Sequence, residues 1–235
     1  MSTLISFNKD KKVGVIYFPK KNIIRKFVTE NKKYKLIKNE INGIKWYQSR
    51  DKNIFNNGKV IFMSEKNYLD MKIINGKQIK FWDYLEKNYE SAKSVISHYK
   101  KVWPNKKIVP CHGDLCFANI IFKKNNIPQI IDWENFLTNK MSWGFDLSYF
   151  LISTVSLPSI FHEEKIIREK ELVLLNQLWH KTFKSKKYKY LNKPVNFLKS
   201  NYGKTFILRN YYNYYPNLLS KYKIHQINEA LKFNI

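Results

Sequence analysis

Glycine, proline and cysteine are scarce in this 235-residue chain, at seven, seven and two. Arginine occurs four times and alanine three. Each shortage excludes something. Two cysteines, Cys111 and Cys116, suggest neither a disulfide framework nor a thiolate metal site, and reduced, buried thiols are expected. No Pro/Gly/Ser-rich linker divides the chain into independent domains, and no internal repeat stands out. Long hydrophobic runs are also missing. The longest uncharged stretch, residues 147–161, contains four serines, a threonine and Pro158, too short and too polar to span a bilayer. The start, MSTLISFNKDKK, places its charges after its few apolar residues, the reverse of a signal peptide. A soluble, cytoplasmic protein is expected.

Acidic residues are the other shortage. Lys and Arg total 43 against 18 Asp and Glu, a formal net charge of +25. Such a charge invites a nucleic-acid partner, but 39 of the 43 cations are lysine. Readers of phosphate and base edges lean on arginine forks, which are nearly absent. Lys, Asn, Ile, Tyr and Phe all have A/T-rich codons, so base composition accounts for much of the charge. This argues against nucleic acid as the main partner. A positive surface still attracts anionic substrates or nucleotides.

What is present begins with strands. LISF (4–7), VGVIYF (13–18) and IIRKFV (23–28) are rich in β-branched and aromatic residues, with turn chemistry in NKDKK and PKKN between them. A helix follows over 34–48, where Leu36, Ile37, Ile41, Ile44 and Tyr47 recur at helical spacing, with Glu40 beside the stripe. Gly43 weakens that helix without removing it. KVIFM (59–63) and YLDMKII (68–74) read as two more strands, closed by a turn at Asn75 and Gly76. Residues 81–103 then form a long amphipathic helix stopped by Pro104. From about Phe145 onward the periodicity predicts a mainly helical remainder. The order is five strands with one inserted helix, then a mostly helical half holding a short polar hairpin.

That hairpin carries the chemistry. In VPCHGDLCFANIIF (109–122) and IPQIIDWENF (127–136), Asp114 and Asp132 each directly follow an apolar, strand-like segment. Burying two carboxylates close together is costly without partners. A divalent cation with hard oxygen ligands resolves the conflict, and Asn119 offers a neutral oxygen from the same loop. Asp114, Asn119 and Asp132 therefore make a plausible set of one base and two ligands for Mg²⁺.

HGDLCFAN, IIDWE and GFDLSYF, in that order and at compatible spacing, resemble the aminoglycoside phosphotransferase and choline-kinase-like branch of the protein-kinase fold. The resemblance implies a two-lobed α+β fold. A small antiparallel five-stranded lobe with one helix (1–75) would bind nucleotide. A mostly helical lobe (76–235) would hold the catalytic loop and the acceptor. It implies Asp114 as the catalytic base that orients and deprotonates an acceptor hydroxyl. Asn119 and Asp132 would hold Mg²⁺, and Lys26 would contact the phosphates of ATP (or GTP), paired with Glu40. Asp146 would brace the catalytic loop from below, and His112 would pack within it.

Some features depart from that pattern. NKDKK holds no glycine, although a phosphate-covering loop wants backbone N–H groups at close range, and Gly14 comes only in the next strand. LCFAN replaces the Leu-His-Pro-Gly-Asn common in antibiotic kinases. A one-residue slip would exchange Arg25 for Lys26; Lys26 is preferred because Ile24 and Val28 then share its face. Glu134 fits either a supporting role or the surface. NYYNYYPN (210–217) reads as packing on the helical lobe. The implied activity is phosphoryl transfer to a hydroxyl of a sugar, amino alcohol or related metabolite, possible settings being surface-polysaccharide or choline-type metabolism. The alternative is a catalytically silent kinase-like nucleotide-binding or regulatory module.

Overall fold

The computed structural model describes residues 2–9, 12–30, 34–50, 67–183 and 220–231. Its first part is an antiparallel sheet in the order β1–β2–β3–β4, formed by β1 (Thr3–Asn8), β2 (Val13–Phe18), β3 (Ile23–Val28) and β4 (Tyr68–Lys72). These are four of the five expected strands. The fifth, at 59–63, lies outside the described residues. The expected helix is α1 (Tyr34–Arg50), whose buried side is the predicted stripe of Ile37, Ile41, Ile44 and Tyr47.

Register decides which side chains of β3 face inward. Arg25 pairs with Ile16 and Asp70, whereas Lys26 pairs with Val15 and Leu69. Neighbours along a strand point to opposite faces, so the two cations are separated by the thickness of the sheet. Arg25 stays on the outer face, donating to both carboxylate oxygens of Asp70 at 2.6 and 2.7 Å, with its guanidinium 3.8 Å from the Tyr68 ring centroid. Lys26 is buried beside Leu69. Gly14 is explained by the same register. It lies between Phe7 and Phe27, and a Cβ there would come within 2.3 Å of the Phe27 ring. Its place is a packing requirement of the sheet.

The second part is mostly helical. It contains α2 (Leu85–Val102), α3 (Phe145–Phe161), α4 (Glu169–Phe183) and α5 (Lys221–Ala230). Helix α2 starts four residues later than its apolar pattern suggested. Its first two backbone N–H groups, those of Leu85 and Glu86, donate to the Glu171 carboxylate at 2.7 and 3.1 Å, which satisfies otherwise orphaned donors. The uncharged run at 147–161 is α3, buried on nearly every side. Among the described residues no helix is long and apolar enough to cross a membrane. The Tyr-rich stretch 210–217 lies outside the described residues.

Two small sheets frame the polar hairpin. β5 (Lys77–Gln78), β7 (Ile120–Phe122) and β8 (Pro128–Ile130) form one, and β6 (Ile108–Cys111) with β9 (Leu137–Ser142) form the other. The sequence did not announce β9, because LTNKMS lacks the apolar alternation of a strand. The described residues thus combine an antiparallel sheet and one helix with a mostly helical remainder that holds the polar hairpin, a mixed α+β arrangement as expected.

Candidate active site

The segment from His112 to Asn119 bridges the two small sheets, leaving β6 and entering β7. Its backbone is held at both ends. Asp146, in the first turn of α3, accepts from the backbone N–H of His112 at 2.8 Å and of Gly113 at 3.0 Å. Gly113 has φ of +87°, and a Cβ there would lie 2.7 Å from the Asn135 carbonyl oxygen. Both facts demand glycine. Burial raises the Asp146 carboxyl above its ordinary range, against the pull of His112 and the two backbone donors. The Cys111 thiol is raised well above its usual value, by burial first and then by Asp146. Burial likewise raises Cys116, so both cysteines are the inert, buried thiols expected.

His112 is fully enclosed. Its Nε2 donates to the Ile131 carbonyl at 2.9 Å, leaving Nδ1 to accept from the Asp114 backbone N–H at 3.2 Å. Burial lowers its basicity, with Asp146 opposing. His112 thus joins the loop to the segment that follows β8.

Asp114 and Asn119 meet directly. The Asn119 amide nitrogen donates to the Asp114 carbonyl at 2.8 Å and to its Oδ2 at 3.2 Å. The Tyr149 hydroxyl donates to Oδ1 of the same carboxylate at 3.0 Å. With its nitrogen turned to Asp114, Asn119 presents its oxygen elsewhere. The Ile131 N–H donates to the Asn119 carbonyl at 3.0 Å, which brings the chain just before Asp132 alongside Asn119.

Asp132 has φ of +62°, a left-handed conformation that costs a non-glycine residue roughly 1 kcal/mol or more. Its Oδ1 contacts the Lys26 ammonium. Lys26 Nζ also lies 3.1 Å from Glu40 and 3.0 Å from Glu134. One buried ammonium therefore faces three carboxylates. Burial alone would weaken the Lys26 charge, but Asp132, Glu40 and Glu134 outweigh it and hold the group well above the ordinary lysine value. Glu40 is pushed up to about 7 by burial, with Lys26 opposing and Asp132 adding. Glu134, two residues beyond Asp132, is a buried member of this cluster.

Helix α1 is fitted against that cluster. A Cβ on Gly43 would meet Trp133 at 2.5 Å, so the glycine permits the helix to approach one turn after Glu40. Asn39 donates to the Glu134 carbonyl at 3.0 Å. Tyr47 accepts from the Ile130 N–H at 3.3 Å and its hydroxyl lies 2.6 Å from His98 Nε2. Trp133 packs among Trp46, Tyr47, Trp103 and His112.

A cavity of about 560 Å³ adjoins the cluster, with Glu40, Asp132, Met71, Ile73 and Ile131 in its lining. Lys21, Lys72, Lys123 and Lys124 also line it, so anionic contents would meet positive charge. Among the described residues no group of three or more His, Cys, Asp and Glu side chains is arranged to hold a metal ion alone. Mg²⁺ does not need one, because it keeps waters and phosphate oxygens and takes one or two protein carboxylates. The side chain of Asp132 is 38% exposed, and the Asn119 amide adds a second hard oxygen. The donor set fits Mg²⁺.

Every sequence-derived candidate, Asp114, Asn119, Asp132, Lys26 and Glu40, therefore lies in one connected network. Sequence reading missed Tyr149 and left Glu134 undecided. Tyr149 follows Asp146 by three residues on a helix, a spacing that places both on one side. Glu134 follows Asp132 by two.

No curated protein matches the chain significantly. Two of the solved structures that match the chain overlap it loosely. One is a streptomycin–ATP ternary complex of APH(2")-IIa, at 12% identity and a TM-score of 0.49, covering 99% of this chain and 93% of that one. The other is the ADP-bound aminoglycoside phosphotransferase APH(2'')-Ib, at 10% and 0.43, covering 99% and 95%. Overlaps of this quality carry no weight for activity. The family comparison is more specific: residues 68–155 match the model of the phosphotransferase enzyme family, APH. That stretch contains the His112–Asn119 loop, Asp132 and Asp146 and leaves Lys26 and Glu40 outside it, so the chain resembles the APH phosphotransferases over the loop and the Asp132 segment.

Proposed function

We propose that the protein is a small-molecule kinase that transfers the γ-phosphoryl group of ATP or GTP to a hydroxyl of a sugar, amino alcohol or related metabolite. The observation that carries this reading is the single network joining Asp114 and Asn119 to Asp132, Lys26 and Glu40. Phosphoryl transfer asks for in-line positioning and neutralised charge more than for covalent chemistry. Asp114 orients the acceptor hydroxyl and takes its proton as the oxygen bonds to the γ-phosphorus. The bond from that phosphorus to the β,γ-bridging oxygen breaks, and the nucleoside diphosphate leaves. Lys26, held by Glu40, contacts the phosphates. Asn119 and Asp132 would hold Mg²⁺, which would supply charge neutralisation on the phosphate oxygens. The cavity beside Asp132 offers room for the nucleoside, and such a nucleotide-dependent reaction suits the cytoplasm.

The acceptor is not a polycation in this reading. After Asp146 the sequence has five acidic residues, all glutamate. Glu171 is occupied at the start of α2, and Glu164 accepts from Tyr84 at 2.9 Å and from Arg168 at 2.6 Å. Little negative charge is left to receive an aminoglycoside. Family resemblance to antibiotic kinases is not resistance.

One observation favours a silent nucleotide-binding module instead: Gly14 serves the packing of Phe27 rather than a phosphate loop. A single assay separates the two. Mg²⁺-dependent nucleotide consumption is measured with a panel of hydroxyl metabolites, for the parent and for Asp114→Asn. The kinase reading expects turnover with at least one acceptor and its loss by roughly a hundredfold or more in the variant. Nucleotide binding without turnover by any acceptor supports the module. Activity unchanged in Asp114→Asn rules out Asp114 as the base.

A further inference from the structure

The Tyr149 hydroxyl ends on the carboxylate that would accept the substrate proton. It donates to Asp114 Oδ1 at 3.0 Å, while Asn119 donates to Oδ2 at 3.2 Å. Tyr149 itself is buried, 5% exposed. It stands in α3 one turn beyond Asp146, whose oxygens hold the loop backbone at His112 and Gly113. One turn of one helix thus fixes both the backbone of the loop and the side chain of its carboxylate.

We propose that Tyr149 is a positioning residue for phosphoryl transfer, acting through Asp114. This rests on the reading of Asp114 as the base. A carboxylate is free to turn about its terminal torsion. Donors on both oxygens fix its plane. Tyr149 therefore keeps Asp114 aimed. The hydroxyl, and not the aromatic ring, does this, so an effect on catalysis separates from packing.

The test is Tyr149→Phe, which retains the ring and removes one donor. With the acceptor that the metabolite panel identifies, kcat and KM for nucleotide and acceptor are measured for parent and variant, with nucleotide affinity and thermal midpoint as controls. The expected result is a kcat reduced by roughly ten- to a hundredfold, with both KM values within about twofold. A kcat within about twofold of the parent overturns the proposal, because the aim of Asp114 then does not depend on the Tyr149 hydroxyl. So does a fall in kcat matched by a loss of nucleotide affinity and of thermal midpoint, which marks a merely structural role. Failure of the underlying reading looks different: Asp114→Asn then retains parental turnover.

Discussion

Gly43 in α1 and Trp133 after β8 lie so close that no side chain fits between them: a Cβ on Gly43 would be 2.5 Å from that of Trp133. The contact sets how near Glu40, one turn earlier, comes to Lys26 and Asp132. Gly43→Ala tests it with two opposed effects. Alanine favours a helix interior over glycine by about 1 kcal/mol. Overpacking against a buried ring costs about 1–3 kcal/mol, and the obstacle is the base of the Trp133 side chain, which cannot swing away. A net loss of stability by up to about 2 kcal/mol is expected in urea unfolding, with activity falling as Glu40 is displaced. A stabilised variant would show that α1 moves aside freely.

Arg25 and Lys26 are expected to respond in opposite ways. Arg25→Ala removes an outer-face fork on Asp70 that is partly open to solvent, so it should cost about 1 kcal/mol of stability and leave turnover near parental. Lys26→Ala leaves Glu40, Asp132 and Glu134 without their shared ammonium. Removing one member of such a buried cluster costs about 3–5 kcal/mol, and loss of a phosphate contact lowers kcat on the order of a hundredfold. The stability deficit should shrink toward acid pH, as the abandoned Glu40 carboxyl, already raised by burial, takes up its proton. Parallel thermal melts and rates on the two variants check the assignment; equal effects on turnover would remove the distinction between the two faces of β3.

That distinction is legible in the sequence, because alternation along a strand is a period of two and Ile24 and Val28 mark the inner face. The helix carrying Glu40 is legible for the same kind of reason, its stripe of Ile37, Ile41, Ile44 and Tyr47 repeating at helical spacing. Asp114, Asn119 and Asp132 stand out because polar residues interrupt apolar strands at short range. What the sequence hides depends on contacts between distant positions. Gly43 reads as a flaw in a helix, yet Trp133, ninety residues on, occupies the space of its missing side chain. Tyr149 reads as one more aromatic in a buried run. Strand β9 is polar in sequence and exists because β6 pairs with it.

The Glu40 carboxyl has a pH signature. Its value in the folded protein is raised to about 7 by burial, above an ordinary value of 4.5. Below the ordinary value the group is protonated in both states, and the fold carries no penalty for it. As pH rises from about 4.5 toward 7, the unfolded chain ionises first, so stability is lost through that window and levels off above it. Glu40→Gln cannot ionise and should lack this component. The difference in unfolding free energy between parent and variant, followed from pH 4 to 8, is expected to fall with pH by a few kcal/mol at most. A difference that rises with pH would mean that Lys26 dominates and Glu40 is lowered instead.

Asp132 is placed to separate metal binding from nucleotide binding. It contacts Lys26, yet its side chain is more than a third exposed, so it can turn toward a cation without unfolding its surroundings. Its backbone is left-handed, a conformation that asparagine tolerates as well as aspartate. Asp132→Asn should therefore fold normally while halving the pair of hard ligands and removing the only charged one. The Mg²⁺ concentration needed for half-maximal rate is expected to rise at least tenfold, with metal-free nucleotide affinity little changed. Asn119→Ala should move the same midpoint less, since it removes a neutral ligand, but should also lower kcat, because the Asn119 nitrogen holds Asp114. Titrations of Mg²⁺ against rate, beside nucleotide binding in chelator, distinguish these outcomes. If neither variant shifts the metal midpoint, Mg²⁺ is held elsewhere, and the oxygen pair at Asn119 and Asp132 serves only to order the loop.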